Sequence, residues 1–310
     1  MSTVRRFLPL LIAIVLLLTV FAFVVPGGRF LTASNLLDLT QQISINAILA
    51  FGMTLAILIG GIDLSVGAIV ALAGTVAVSV LPGGGWLGAA LAGIGVATAF
   101  GVVNGIGVAR GRMPPFIVTL ATMLVARGLA LRFNEGRPLP VPDSEKVFLA
   151  LGNERIFGIL PMPAVIMLCA FALTGVLLHR TAFGQHLYAM GGNREAARYV
   201  GIPLARREIA VYVLCSALAG LAGLIHASQL YSAEPASGQG FELNAIAAVV
   251  VGGTSFTGGI GTMTGTLIGA IIIGILDKGL NQAGVHFSLQ YMCKGLVILG
   301  AVYLDVRRRK

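Results

Sequence analysis

Charge is scarce in this chain: 11% of its 310 residues are Asp, Glu, Lys or Arg, whereas 57% belong to the apolar classes. Acid is the scarcer sign, 12 Asp and Glu against 21 Lys and Arg, for a net charge of +9. The basic residues stand singly between apolar runs and are not interleaved with aromatics, which excludes a nucleic-acid groove and any nucleic-acid partner of that kind. There are 3 cysteines, Cys169, Cys215 and Cys293. An odd number, each inside an apolar run, excludes a disulfide framework and gives no metal-ligand spacing. His179, His186, His226 and His286 have no ligand spacing either, so no metal site is expected. No Gly-rich run ends in Lys-Ser or Lys-Thr, which removes the usual phosphate loop. No nucleophile and base can be assembled, so catalytic residues and cofactors are expected to be none.

What is present is length in apolar runs. A mean hydropathy of +0.93 lies far outside the soluble range, and segments of roughly 20 apolar residues match the thickness of a bilayer. The 42 glycines agree, because small residues let helices approach closely in lipid. The expected fold is all-α, a single polytopic membrane domain over residues 1–310. Ten spans are expected, at 7–25, 43–59, 64–81, 86–109, 114–132, 159–178, 209–230, 243–256, 260–276 and 285–304. The first is read as a membrane anchor, because Pro26-Gly27-Gly28-Arg29 follows it in place of a cleavage site.

If the N-terminus is cytoplasmic, segments 1–6, 110–113, 179–208 and 305–310 face the cytoplasm. They carry Arg5, Arg6, Arg110, Arg112, Arg180, Arg194, Arg198, Arg206, Arg207, Arg307, Arg308, Arg309 and Lys310, thirteen of the 21 basic residues. Both termini are therefore expected inside, and the Pro-rich stretch 133–158 outside.

A parallel internal repeat is expected at an offset of 198 residues. Ile45-Asn46-Ala47-Ile48-Leu49-Ala50 matches Leu243-Asn244-Ala245-Ile246-Ala247-Ala248, Gly60-Gly61-Ile62 matches Gly258-Gly259-Ile260, and Gly67 matches Gly265. The repeat halves run roughly over 7–109 and 209–304. Each copy is interrupted by glycines, at Gly60-Gly61 and at Gly252-Gly253 with Gly258-Gly259. Interrupted helices are tolerated in a membrane only where they are buried in protein or face a watery cavity, so the breaks mark a transport path.

The residues expected along that path are Asn46, Gly60, Gly61, Asp63, Ser65, Asn244, Gly253 and Thr254. For Asp63, capping of the helix that starts at Leu64 is an equally physical reading, and Asn46 and Asn244 fit interhelical hydrogen bonding as well as contact with a polar solute. Asn104, Gln229, Glu234 and Asn281 are weaker candidates. Arg127 is expected to snorkel, and Lys294 to pair with an acid not identifiable from spacing.

The polar island 179–208 contains a self-defined short helix. Asn193 can cap it through the N–H of Glu195 or Ala196, Glu195 suits the positive end of its dipole, and Gly201 with Pro203 stops it. A helix of about two turns is unstable alone, so a partner surface is expected. Ala196, Ala197 and Gly201 allow close approach, and Arg194 and Arg198 share a face that can meet carboxylates.

Three motifs carry a resemblance: Gly60-Gly61-Ile62-Asp63-Leu64-Ser65-Val66-Gly67, Gly191-Gly192-Asn193-Arg194-Glu195-Ala196-Ala197 through Gly201-Ile202, and Leu243 through Ser255. From about Asn35 onward the chain resembles the permeases of bacterial ATP-binding-cassette sugar importers, in particular the ribose-type branch. The resemblance implies that Asn193, Arg194, Glu195, Ala196, Ala197, Arg198 and Gly201 form a coupling helix docked on a separate ATPase subunit. It also implies a second permease chain, a periplasmic or extracellular sugar-binding protein, the inner membrane with its lipid, and ribose as the favoured monosaccharide. The competing reading is a secondary sugar transporter or facilitator working alone, for which Asp63 is the one candidate coupling acid.

Overall fold

The computed structural model describes residues 3–307. Among them twelve α-helices follow one another: α1 (Thr3–Val24), α2 (Ala33–Leu58), α3 (Val66–Ala109), α4 (Pro115–Arg132), α5 (Lys146–Asn153), α6 (Met162–Arg180), α7 (Ala182–Gly192), α8 (Arg194–Tyr199), α9 (Leu204–Gln229), α10 (Phe241–Val251), α11 (Met263–Gln282) and α12 (Phe287–Arg307). Strand structure among these residues is confined to two-residue pairings such as β1 (Leu139–Pro140) with β4 (Ser232–Ala233). Arg308, Arg309 and Lys310, counted above on the cytoplasmic side, lie outside the described residues.

The ten expected apolar segments correspond to α1, α2, two halves of α3, α4, α6, α9, α10, α11 and α12. Among the described residues, seven helices are long and apolar enough to cross a membrane. Helix α3, at 44 residues, enters that number once although it is two antiparallel arms. The turn is made at Gly85, whose φ of +61° and ψ of −174° suit only glycine. The second arm then returns along the first, so that a Cβ on Gly93 would stand 2.8 Å from the Ala73 carbonyl. Helix α10, at 11 residues, is too short to cross. The chain is an all-α, multi-pass membrane protein.

Helix α2 is the axis of the molecule. From Ala47 to Leu58 every residue is buried, as expected of a helix that is apolar all round. One side packs on α9, where a Cβ on Gly52 would lie 2.9 Å from the Cys215 Cα. The other packs on α11, where Gly274 admits Ile43 and the hydroxyls of Thr54 and Thr266 meet at 2.7 Å. Helix α1 in turn covers α11, with the Phe21 ring over Gly279.

The two ends of the bundle differ. At one end the 133–161 segment is ordered by α5, which seats Gly152 on α9: its N–H donates to Ser228 Oγ at 2.8 Å, and Gln41 Nε2 donates to its carbonyl at 2.8 Å. Arg155 reaches Asp38 at 2.9 Å on the same end. At the other end lie both helix breaks, the 110–114 turn and the polar island.

Candidate functional site

The breaks are built by ordinary helix-stop chemistry. Helix α2 ends with Gly60 in the left-handed region (φ +78°), its N–H donating to the Ile57 carbonyl and that of Gly61 to the Ala56 carbonyl, both at 2.9 Å. Helix α10 ends identically at Gly253 (φ +86°), with Gly253 N–H on Val250 and Thr254 N–H on Val249 at 2.9 and 3.1 Å. Both are Schellman closures, which satisfy carbonyls otherwise orphaned.

This corrects the register of the repeat. The helix bodies match at an offset of 198, but the stopping glycine opposite Gly60 is Gly253, not Gly258, so α10 ends five residues early and its break is longer. The extra residues return to the first break. Gly259 N–H donates to the Leu58 carbonyl at 2.8 Å, and Thr262 caps α11 by accepting from Gly265 N–H at 3.1 Å.

Helix α7 docks on this junction. A Cβ on Gly191 would stand 1.9 Å from the Leu58 carbonyl oxygen and 2.3 Å from the Gly259 nitrogen, so its glycine backbone touches both breaks at once. Tyr188 Oη donates to the Gly261 carbonyl at 2.7 Å. Helix α8 follows with the expected cap, Asn193 Oδ1 accepting from Ala196 N–H at 2.9 Å. Gly201 (φ +81°) closes it through Gly201 N–H on Arg198 and Ile202 N–H on Ala197.

Arg194 is committed within the chain. Its two terminal nitrogens donate to the Glu208 carboxylate at 3.2 and 2.7 Å. Glu208 lies on α9 with its side chain 6% exposed, and its hydrogen bonds hold the Arg194 guanidinium above its ordinary pKa. Of the remaining helix, Ala197 is buried against the bundle, while Glu195, Ala196, Arg198, Tyr199 and Val200 are exposed. Arg112, Arg194, Glu195, Arg198 and Glu208 border an open depression under the first break.

Asp63 and Ser65 belong to a buried network that engages Asp63 Oδ1 and leaves Oδ2 without a partner. Ser65 donates to Asp63 Oδ1 through its N–H, at 2.9 Å, and through its hydroxyl. Asn104 Nδ2 donates to Ser65 Oγ at 2.9 Å, and Thr122 Oγ1 to Asn104 Oδ1 at 2.6 Å. All four are buried. Asp63 therefore braces the turn into α3 against α4. Thr254 is likewise buried in the second break.

Asn46 and Asn244 are placed differently. Both line a cavity of about 600 Å³ between α2, α10, α11 and α12, with His226 and Gln229 of α9 completing its wall. Each helix gives it one stripe: Gln42 and Asn46 from α2, Gly240 and Asn244 beside and on α10, Asp277 and Asn281 from α11, Tyr291 and Lys294 from α12. Such i, i+3 and i, i+4 spacings put side chains on one helix face. Lys294 Nζ lies 3.0 Å from Asp277 Oδ1, which identifies the acid that spacing left open. Gln229 and Asn281 line the cavity, whereas Glu234 does not. Arg127 does not snorkel: its guanidinium donates to the carbonyls of Pro235 at 2.8 Å and Ser237 at 2.6 Å, fastening the turn before α10.

The signals missed in the sequence are of two kinds. Glu208 and Asp277 are partners fixed by tertiary packing alone. Gln41 and Gln239, which both line the cavity, stand at the repeat offset of 198 and were within reach of that comparison.

A bundle with two apposed helix breaks against α7 at one end, and an amide-lined cavity toward the other, suits a multi-pass permease. The chain belongs to the family described as the permease component of the branched-chain amino acid transport system, which residues 35–302 match. It is 46% identical over 280 residues to the ribose import permease of Bacillus subtilis, covering 90% of this chain and 87% of that one. It is 44% identical over 302 residues to the ribose import permease of Escherichia coli, covering 96% and 93%. The L-arabinose transport system permease of Escherichia coli is 36% identical over 303 residues, covering 97% and 90%. No solved structure matches the chain. These relatives bear out the resemblance carried by the three motifs.

Proposed function

We propose that the chain is the membrane permease of an ATP-driven importer that carries ribose across the bacterial inner membrane. The observation that carries this reading is the cavity at the repeat interface, whose polar lining is dominated by amides and whose three charged residues are paired, Asp277 with Lys294 across it and Asp38 with Arg155. Hydroxyls donate and accept at once, and amides offer both functions without net charge, so the lining suits a neutral polyol. The ribose import permeases among its relatives narrow the polyol to ribose.

ATP is hydrolysed in this reading by a separate subunit. The exposed side chains of α8, with Tyr199 85% and Val200 76% exposed, supply the apolar surface on which it docks, beside Glu195 and Arg198. The count of basic residues supports placing the island, the breaks and both termini on the cytoplasmic side. A soluble sugar-binding protein then delivers from the opposite end, and a second permease chain completes the transporter. ATP-driven closure of the ATPase subunits shifts the permease between two access states through α8 and α7.

In proteoliposomes holding the complete transporter, labelled ribose is expected to accumulate, and a tenfold excess of unlabelled arabinose to leave most of that uptake intact. Equal displacement by ribose and arabinose would overturn the choice of sugar.

A further inference from the structure

Buried polar atoms in folded proteins are nearly always hydrogen-bonded, and one left unmet costs about 1–3 kcal/mol, so a cluster of them calls for a cause. Two such atoms stand at the same cavity: Asn46 Oδ1 and Gln229 Nε2, neither of which has a hydrogen-bond partner. Asp277 Oδ1 meets Lys294 Nζ at 3.0 Å, and the pair stands on the cavity wall with side chains 19% and 21% exposed, so each keeps part of its polar surface free. The repeat contributes two matched amide pairs, Gln41 with Gln239 and Asn46 with Asn244, each separated by 198 positions. The ion pair has no counterpart: the positions 198 residues before Asp277 and Lys294 are Ser79 and Val96.

We propose that the Asp277–Lys294 pair, set against Asn46 and Asn244, is a solute-selecting site within the permease for a neutral, polyhydroxylated ring. The assignment rests on the importer reading above and goes beyond it, because it gives the permease its own discrimination in addition to that of a delivering protein. The carboxylate accepts from one hydroxyl of a vicinal diol while the ammonium donates to its neighbour, and Asn46 and Asn244 meet hydroxyls on the opposite edge. Tyr291, its ring centre 5.8 Å from Lys294 Nζ, gives an aromatic wall. A solute with net charge leaves one member of the ion pair facing a like charge in a confined space, and is rejected for that reason. A deoxy sugar that lacks one hydroxyl of the diol leaves a polar group unmet, and is disfavoured for that one.

The test is ribose taken up per ATP hydrolysed by the complete transporter in proteoliposomes, a ratio that cancels differences in delivery. Asp277→Asn and Lys294→Gln are each expected to lower it about tenfold and to erase the preference for ribose over 2-deoxyribose. The reversed pair, Asp277→Lys with Lys294→Asp, keeps the ion pair and the fold but inverts what the solute meets, so folding is expected to recover and uptake is not. Recovery of uptake in the reversed pair, or an unchanged ratio in both single variants, would reduce the pair to a structural strut. A wild-type transporter that hydrolyses ATP and takes up no ribose would remove the importer reading, and the selecting site with it.

Discussion

Substituting Gly191 with alanine is expected to lower sugar uptake about fivefold or more while the chain still inserts and still holds its ATPase subunit. The added Cβ would meet the Leu58 carbonyl oxygen and the Gly259 nitrogen at 1.9 and 2.3 Å, both backbone atoms that no rotamer change can clear. Either α7 lifts or the breaks separate. Overpacking of this kind costs about 1–3 kcal/mol, a coupling loss of about 5- to 150-fold when it falls on a linkage between two states. The docking surface of α8 is untouched, so ATP hydrolysis continues and is no longer matched by transport. Uptake and ATPase activity measured on the same vesicles check the split. Wild-type uptake in the variant would show that the junction transmits nothing.

The second large effect is asymmetric. Arg194→Ala leaves Glu208, its side chain only 6% exposed, without its partner, and a buried acceptor left unmet costs about 1–3 kcal/mol. Glu208→Gln leaves Arg194, whose side chain is 48% exposed, free to turn to water, so its cost is smaller. Retention of the ATPase subunit during purification is therefore expected to fall strongly in Arg194→Ala and only modestly in Glu208→Gln. The reverse order would mean that Arg194 serves the partner subunit directly and not through α9.

Much of this architecture is legible in the residues themselves. Apolar runs gave ten segments because lipid imposes their length, and Asn193 and Gly201 marked the ends of α8 because capping is local chemistry. The end of α10 was less legible: Gly252-Gly253 and Gly258-Gly259 both read as stops, and the choice depended on packing of the second break against Leu58. Lys294 was recognisable as needing an acid, yet Asp277 lies on another helix at a separation that no periodicity encodes. Asp63 reads in the sequence as a cap or as a path residue, and the Asn104 and Thr122 that stand behind its partner Ser65 come from positions no local pattern links to it. Asn46 and Asn244 were found by the repeat, but their cavity exists only once α11 and α12 are in place.

The central claim is that this chain transports only as part of an ATP-driven assembly. The most direct measurement is uptake of radiolabelled ribose into vesicles containing the permease, with the ATPase subunit and the sugar-binding protein each added or omitted. Accumulation is expected to need ATP and all three components. Uptake by the permease alone, driven by a proton gradient or by the sugar gradient, would contradict it and leave α8 without the partner its exposed face requires.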